Sequence, residues 1–407
     1  MPENQPLHGG DQVAGELAAQ AVPFVFTLCG GHISPILVGC RNRSIQVVDV
    51  RHEATAVFAA DAVARLSGRP GVAVVTAGPG LTNTLTAVKN ARLAQSPVVL
   101  LGGATATALK GRGALQDIDQ QALMAPHVKW SASARRVRDL APLVRRGFGE
   151  ALRGVPGPVF IEFPVDLLYP EQVVRDWYGG QSGSARSLSR RLESLYLRRH
   201  VKRMFAGDPD AGPAGGVEPL PPVPDEGQVG QAAAALARAD RPVLLVGSQA
   251  LVDAGSADAT AAAAKELGVP VFLSGMARGL LGRDHPLQRR HKRKEALREA
   301  DLVLLAGLPA DFRLGYGRQF RGGTTIIAAN RSRRDLKLNR RPKLALQCDA
   351  GLFLRQLAEK CSGNGSRWGS WKETLMERDR AREQVILEQS QAPVDGINPL
   401  RLCREVD

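Results

Sequence analysis

The feature that most constrains this chain is an alternation, repeated in two blocks, of short and almost wholly apolar runs with stretches long enough for a helix. In residues 10–170 the runs are FVFTL (24–28), IQVVDV (45–50), VAVVTA (72–77), PVVLLGG (97–103) and PVFIEFP (158–164). In the second block they are PVLLVGS (242–248), PVFLSG (270–275), DLVLLAG (301–307) and TTIIAAN (324–330). Between them, QAAAALARA (231–239) and ADATAAAAKELG (257–268) are helix formers. A strand apolar on every residue is covered on both faces, and strands that alternate with helices build a parallel sheet. The expected fold class is therefore α/β, as two doubly wound parallel-sheet domains. Residues 207–228, GDPDAGPAGGVEPLPPVPDEGQ, read as the linker between them.

Composition excludes several classes. At 44% hydrophobic and 23% charged residues the chain has the apolar content to build cores and is no disordered polymer. The net charge of +14 raises the question of nucleic acid. Its clusters, Arg186–Arg203, Arg289–Arg298 and Arg331–Arg341, are dispersed and accompany no nucleic-acid motif, so no nucleic-acid partner is expected. The five cysteines, Cys29, Cys40, Cys348, Cys361 and Cys403, are odd in number and form no CxxC pair. Neither a zinc site nor a disulfide framework is expected, and a reducing compartment follows. No run approaches the roughly 20 apolar residues of a membrane span, and the polar start has no signal-peptide core. The chain thus reads as soluble and intracellular.

Residues 186–206, RSLSRRLESLYLRRHVKRMFA, differ from the rest. Leu188, Leu192, Leu195, Leu197, Val201, Met204 and Phe205 recur mostly at helical spacing among arginines and lysines. The segment reads as a basic amphipathic helix, packed by its stripe on a domain or lying on an anionic membrane surface.

Three stretches carry candidate chemistry. In VVDVRHEATAVFAADAVARLSG (47–68) a strand ends near Val50 and a helix starts near Glu53, which places that carboxylate in a first turn with apolar neighbours. In TAGPGLTN (76–83) a strand runs into Gly78-Pro79-Gly80, a turn that lets backbone approach a ligand, and Asn83 opens the next helix. In GRGALQDIDQQAL (111–123) Gln116 and Gln120 are uncharged hydrogen-bonding groups in a loop. Each has a plainer meaning when taken alone. Glu53 suits any helix N-terminus, the turn lacks GxGxxG and GK[ST], and the glutamines suit a surface.

Taken in order, RHE with its Ala-rich helix, TAGPGLTN, GALQD and GPVFIEFPVD resemble the N-terminal domain of thiamine-diphosphate enzymes. The branch is that of acetolactate synthases, oxalyl-CoA decarboxylases and 2-hydroxyacyl-CoA lyases. The resemblance continues through FLSGMARGLLGRDHP (272–286) and ADLVLLAGLPADFRLGYG (300–317) and covers residues 10–360. It implies a pyrimidine-binding domain over 1–180, a basic helix and Pro/Gly linker over 181–228, and a central Rossmann-like domain over 229–362. Residues 363–407 become a linker and the start of a C-terminal domain.

The resemblance also assigns roles. Glu53 matches the glutamate that hydrogen-bonds a ring nitrogen of the pyrimidine. Gly78, Pro79 and Asn83 match the turn lining that ring, and Gly30 and Gly31 match a glycine-rich loop that touches cofactor from the partner subunit. Gln116 matches the glutamine that faces the reacting carbonyl, with Leu115 where the family has phenylalanine. In the central domain, which in the family binds FAD or an adenine nucleotide or has lost both, Gly275, Arg278 and Arg313 fall where a nucleotide or CoA would lie. Metal ligands are expected in none of these stretches. The family holds Mg2+ and diphosphate on a GDG motif that this sequence lacks, so the chain is expected to be inactive alone. The implied activity is cleavage of a 2-hydroxyacyl-CoA to an aldehyde and formyl-CoA. The alternatives are an acetolactate synthase-like carboligase acting on 2-oxo acids, and a non-catalytic partner of a full-length subunit. Implied too are a homo-oligomer with an apolar interface over 53–95, and an endoplasmic-reticulum membrane location, or the cytoplasm without an anchor.

Overall fold

The structure, a computed structural model, describes residues 8–179, 188–207, 216, 220–361 and 367–406. The chain divides into two compact units, Met1–Leu220 and Pro221–Asp407. Half of the Pro/Gly stretch read as a linker, residues 208–215 and 217–219, lies outside the described residues.

The first unit holds six parallel strands: β1 (Phe24–Leu28), β2 (Gln46–Asp49), β3 (Gly71–Val75), β4 (Val98–Ala104), β5 (Trp130–Ser133) and β6 (Val159–Pro164). Their order across the sheet is β2-β1-β3-β4-β6-β5. The two-residue period of a strand divides the core between the faces. Val72, Val74, Val99, Leu101, Val159 and Ile161 point to one side, where Val13, Ile36 and Phe148 of helices Gly9–Ala19, Ser34–Asn42 and Leu140–Leu152 meet them. Ala73, Val75, Val98, Leu100 and Phe160 point to the other, under Ala56, Ala60 and Val88 of helices Glu53–Ser67 and Leu85–Ala94. Both faces are covered, which is why these strands lack polar alternation.

The second unit repeats the plan with β7 (Pro242–Val246), β8 (Val271–Leu273), β9 (Gln288–Arg289), β10 (Leu302–Ala306), β11 (Thr325–Ala329) and β12 (Leu344–Leu346). The order is β12-β11-β10-β7-β8-β9, every pair parallel. The expected α/β class, two doubly wound parallel sheets, is what the chain adopts.

Three expectations are corrected. The helix Glu226–Arg238 starts inside the stretch read as linker, with the Asp225 side chain accepting from Gln228 N as its N-cap. Residues read as linker beyond 363 form helix Gly369–Gln391, which with the preceding Trp368 puts Trp368, Trp371 and Leu375 into the second core. Both indoles are satisfied there: Trp368 Nε1 donates to Ala239 O and Trp371 Nε1 to Pro242 O. The basic segment is a helix, Leu188–Met204, but not one continuous stripe is buried. Val201 and Met204 enter the first core with Leu197 and Phe205 against it, whereas Leu192 and Leu195 are 61% and 47% exposed. Residues 186–187 and the side chain of Leu188 lie outside the described residues.

Candidate active site

In the first sheet the chain leaves β1 toward β2 on one side and β3 on the other. The carboxyl ends of β1 and β3 therefore flank a topological switch point, where open α/β sheets bind ligands. Gly30, Gly31 and His32 follow β1, His52 and Glu53 follow β2, and Gly78–Asn83 follow β3.

Glu53 is the first residue of helix Glu53–Ser67, whose N-cap is His52 accepting from Ala54 N at 3.1 Å. The carboxylate sits against the helix N-terminus and is 7% exposed. One oxygen, Oε2, accepts from Asn83 Nδ2 at 2.9 Å. Among the described residues none is seen to donate to Oε1. It lies over Gly80, where an added Cβ would come within 3.6 Å of it.

The turn that carries Asn83 demands glycine. Gly78 has φ +61° and ψ −113°, and a Cβ there would stand 2.9 Å from Cβ and O of Gln116. A Cβ on Gly80 would fall 2.6 Å from Thr76 Cγ2, and one on Gly30 2.5 Å from Thr76 Cβ. Gly31 is exposed, with open space around its Cα. Beside it, His32 Nδ1 lies 3.3 Å from Thr76 Oγ1, and burial pushes the imidazole pKa below its ordinary value.

Gln116 is half-buried in the left-handed region at φ +62° and borders a cavity of about 460 Å³. Lys110, Gln120, Ser133, Glu162 and His200 line it too. Leu115 is 80% exposed and is not part of that lining. The structure thus gathers Glu53, Asn83, Gly78 and Gln116 about one edge, while Pro79, the first residue of the short helix Pro79–Thr82, is exposed.

Sequence reasoning missed Glu162 and the group around Asp166. Glu162 is a carboxylate inside an otherwise apolar strand run, a signal readable in PVFIEFP, because a buried charge must be paired. Asp166 Oδ2 accepts from Thr107 N at 2.9 Å, Thr107 Oγ1 at 2.5 Å and Tyr178 OH at 2.8 Å. His200 Nε2 lies 2.6 Å from the same Thr107 hydroxyl. Burial raises the Asp166 pKa against those hydrogen bonds and pushes Tyr178 beyond its usual range.

In the second unit Arg278 lines a cavity of about 790 Å³ with Arg283, Arg289, Arg290, Arg293 and Lys294, and among the described residues no carboxylate is part of that lining. Gly275 and Arg313 are not in that lining. Gly275, at φ +58°, is held against Ser248, whose Oγ accepts from Met276 N at 3.1 Å. The Arg313 guanidinium is paired with Asp311 at 2.6 Å, while its carbonyl accepts from Arg293. Among the described residues no cluster of His, Cys, Asp and Glu could hold a metal ion, and no helix is long and apolar enough to cross a membrane.

A switch-point crevice with a buried carboxylate on a helix N-terminus, a glycine turn facing it and a second α/β unit is the layout of an enzyme that grips a heteroaromatic cofactor. Residues 7–123 match the family described as thiamine pyrophosphate enzyme, N-terminal TPP binding domain, and residues 229–357 match its central domain. The chain belongs to the thiamine pyrophosphate enzymes. The 2-hydroxyacyl-CoA lyase 2 of Danio rerio is 48% identical over 410 residues, covering 99% of this chain and 65% of that protein. Its Homo sapiens counterpart is 49% identical over 409 residues, 98% of this chain and 64% of the relative. A probable acetolactate synthase of Mycobacterium bovis is 33% identical over 405 residues, 99% and 66%. The chain thus spans 64 to 66% of the length of these relatives.

Proposed function

We propose that this chain supplies the pyrimidine-binding and central domains of a thiamine-diphosphate-dependent lyase that cleaves a 2-hydroxyacyl-CoA to an aldehyde one carbon shorter and formyl-CoA. The observation that carries the reading is the buried Glu53 carboxylate, held through Oε2 by Asn83 while Oε1 faces the side-chain-free Gly80. That donor set fits an aminopyrimidine: a carboxyl group able to share a proton with a ring nitrogen, beside a turn that excludes side chains. When bound, thiamine diphosphate supplies the carbon nucleophile and the electron sink. The chain's part is to hold the ring, move a proton at Glu53 Oε1, and present Gln116 to the carbonyl of the substrate. Mg2+ and the diphosphate would be held by residues beyond those described above.

The acyl-CoA reading over acetolactate synthesis draws on the identity to the lyases, 48–49% against 33%, and on the basic cavity of the second unit. Six cationic side chains in one lining suit the phosphates of CoA. A flavin has no separate support. Incubation of the holoenzyme with a 2-hydroxyacyl-CoA tests the reading: aldehyde and formyl-CoA in equal amounts, lost in Glu53→Gln, are expected. Acetolactate from pyruvate with no aldehyde would reverse the order of the two activities. Calorimetric titration of the chain with thiamine diphosphate and magnesium separates both from a non-catalytic partner.

Two associations complete the reading. Phe58, Ala62 and Leu66 share an exposed face of helix Glu53–Ser67, and Leu93 is exposed on Leu85–Ala94. A second copy covers this face, and a monomer by sedimentation would refute that. The exposed Leu192, Leu195 and Tyr196, with Arg198, Arg199, Lys202 and Arg203, suit the anionic face of a membrane such as the endoplasmic reticulum. Failure to float with anionic vesicles would remove this location.

A further inference from the structure

Glu162 is 1% exposed, yet among the described residues only one cation is seen to reach it: Lys110 Nζ, at 3.3 Å from Oε1 and itself half in solvent. Burial of a carboxylate with so little compensation is costly. Its remaining hydrogen bonds run in two directions. Oε1 also accepts from Ser133 Oγ at 2.8 Å. Oε2 accepts from Gln120 Nε2 at 3.1 Å, and that amide donates its second hydrogen to Gly103 O at 3.0 Å. The other end of the Gln120 side chain, Oε1, accepts from Gly78 N at 3.0 Å. With Gln120 2% exposed, every polar atom of its side chain is committed.

The result is a bridge over the carboxyl ends of four strands. Ser133 ends β5, Glu162 lies in β6, Gly103 in β4, and Gly78 follows β3. At one end of the bridge is the Gly78 turn, which leads to Asn83 and its grip on Glu53. At the other end is Lys110, on a loop whose tip needs Gly111 and Gly113 at positive φ with open space around them, and which carries Gln116. The loop's ties include the Lys110 ion pair, Gly111 N to Asp117 Oδ2, Thr105 Oγ1 to Leu115 O and the backbone turns Arg112 N to Leu109 O and Asp117 N to Ala114 O.

We propose that Glu162 is a positioning residue for the thiamine site: through Gln120 it fixes the Gly78 turn, and through Lys110 it closes the loop that presents Gln116. The inference rests on the thiamine reading for its catalytic consequence, but its mechanical content does not. Both ends of the bridge share one buried carboxylate, so the cofactor side and the substrate side are set in register by a single group on the wall of the cavity that Gln116 borders.

The test uses Lys110→Met, Gln120→Leu and Glu162→Gln in the holoenzyme, with three readouts: trypsin cleavage after Arg112, half-saturation by thiamine diphosphate, and substrate KM against kcat. Lys110→Met is expected to speed cleavage at the exposed Arg112 about tenfold, the scale of one charge-assisted hydrogen bond, and to raise substrate KM, with cofactor half-saturation unmoved. Gln120→Leu is expected to raise cofactor half-saturation by about the same factor with Arg112 as protected as before. Glu162→Gln moves both, and Glu162→Asp, one methylene short, restores at most one. Parallel changes in all readouts for Lys110→Met and Gln120→Leu would overturn the proposal, as would a Glu162→Gln variant that shifts only the melting temperature. If Glu162→Gln does not fold, the two flanking variants still decide the question. Loop release without any thiamine-dependent activity in the parent would instead count against the functional reading alone.

Discussion

Asn83 donates its side-chain amide to Glu53 across 2.9 Å, joining the second turn after β3 to the first turn after β2. The bond fixes Oε2 and so decides where Oε1 points. Glu53→Gln replaces an ionisable group by one that cannot exchange a proton, and is expected to lower kcat by at least about 100-fold, the lower range for a general acid–base group. Asn83→Ala leaves the carboxylate but frees it, for a loss near tenfold. Steady-state rates with saturating thiamine diphosphate check both. Equal losses in the two variants would mean that Asn83 does more than orient its neighbour.

His32 gives the first unit a pH dependence. Burial lowers its folded-state pKa, while in the unfolded chain it protonates near 6.5. Below that value the unfolded state binds a proton that the folded state refuses, so stability is full above about pH 6.5 and falls as the pH drops toward the lowered folded value. Melting temperatures measured through this window are expected to decline on acidification, and His32→Asn to flatten the decline. Proton titration of the His32 ring by NMR locates the folded value directly.

How far the sequence reveals this fold depends on where each strand sits. The runs at 24–28, 72–77, 97–103 and 158–164 become interior strands or their neighbours, and covering on two faces makes such strands apolar throughout. The three strands that periodicity did not reveal, β5, β9 and β12, all lie at sheet edges. WSAS is half-buried at every residue, β9 is only two residues long, and neither has an apolar run to announce it. The site divides the same way. Glu53, Gly78, Asn83 and Gln120 stand in local motifs readable in the sequence; the role of Glu162 depends on a partner 42 residues away, a proximity that only the sheet order creates. The helix Leu188–Met204 was legible as amphipathic, but which of its leucines meets a core depends on tertiary packing.

The cysteines are expected to separate sharply. Burial pushes the Cys40 and Cys348 thiols up to about 12 and raises Cys361, so all three stay protonated and shielded at neutral pH. Cys29 and Cys403 are exposed. Native labelling with iodoacetamide followed by peptide mapping should modify Cys29 and Cys403 first, and the other three only after denaturation. Rapid labelling of Cys40 would show that the helix Ser34–Asn42 opens from the first core.

In the second unit, Arg331 and Asp349 pair at 2.7 Å with side chains 4% and 6% exposed. Asp349 Oδ1 also accepts from Leu352 N, capping helix Ala350–Cys361. Asp349→Ala removes the carboxylate that a buried guanidinium pairs with and uncaps the helix, for an expected loss of about 3–5 kcal/mol. The double variant Arg331→Met, Asp349→Ala should recover part of it, since the buried guanidinium is then removed together with its carboxylate. Urea denaturation of the chain checks both values.

The basic cavity separates electrostatic proximity from contact. Arg278 and Arg313 both lower the pKa of Arg293, which burial depresses first, so the three guanidiniums lie close together. Yet Arg313 is neutralised by Asp311 and does not face the cavity, whereas Arg293 lines it and no carboxylate does. If the phosphates of CoA bind there, Arg293→Met should weaken CoA by about tenfold, one charge-assisted contact, and Arg313→Met should change it little. CoA should bind more tightly than dephospho-CoA, and both should weaken with added salt, since the cavity is open enough for screening. Calorimetry at low and high ionic strength distinguishes these outcomes. A larger loss in Arg313→Met than in Arg293→Met would move the nucleotide out of the cavity and onto the Asp311–Arg313 pair, leaving Arg278 as the one residue of the sequence-predicted trio, Gly275, Arg278 and Arg313, that lines the cavity.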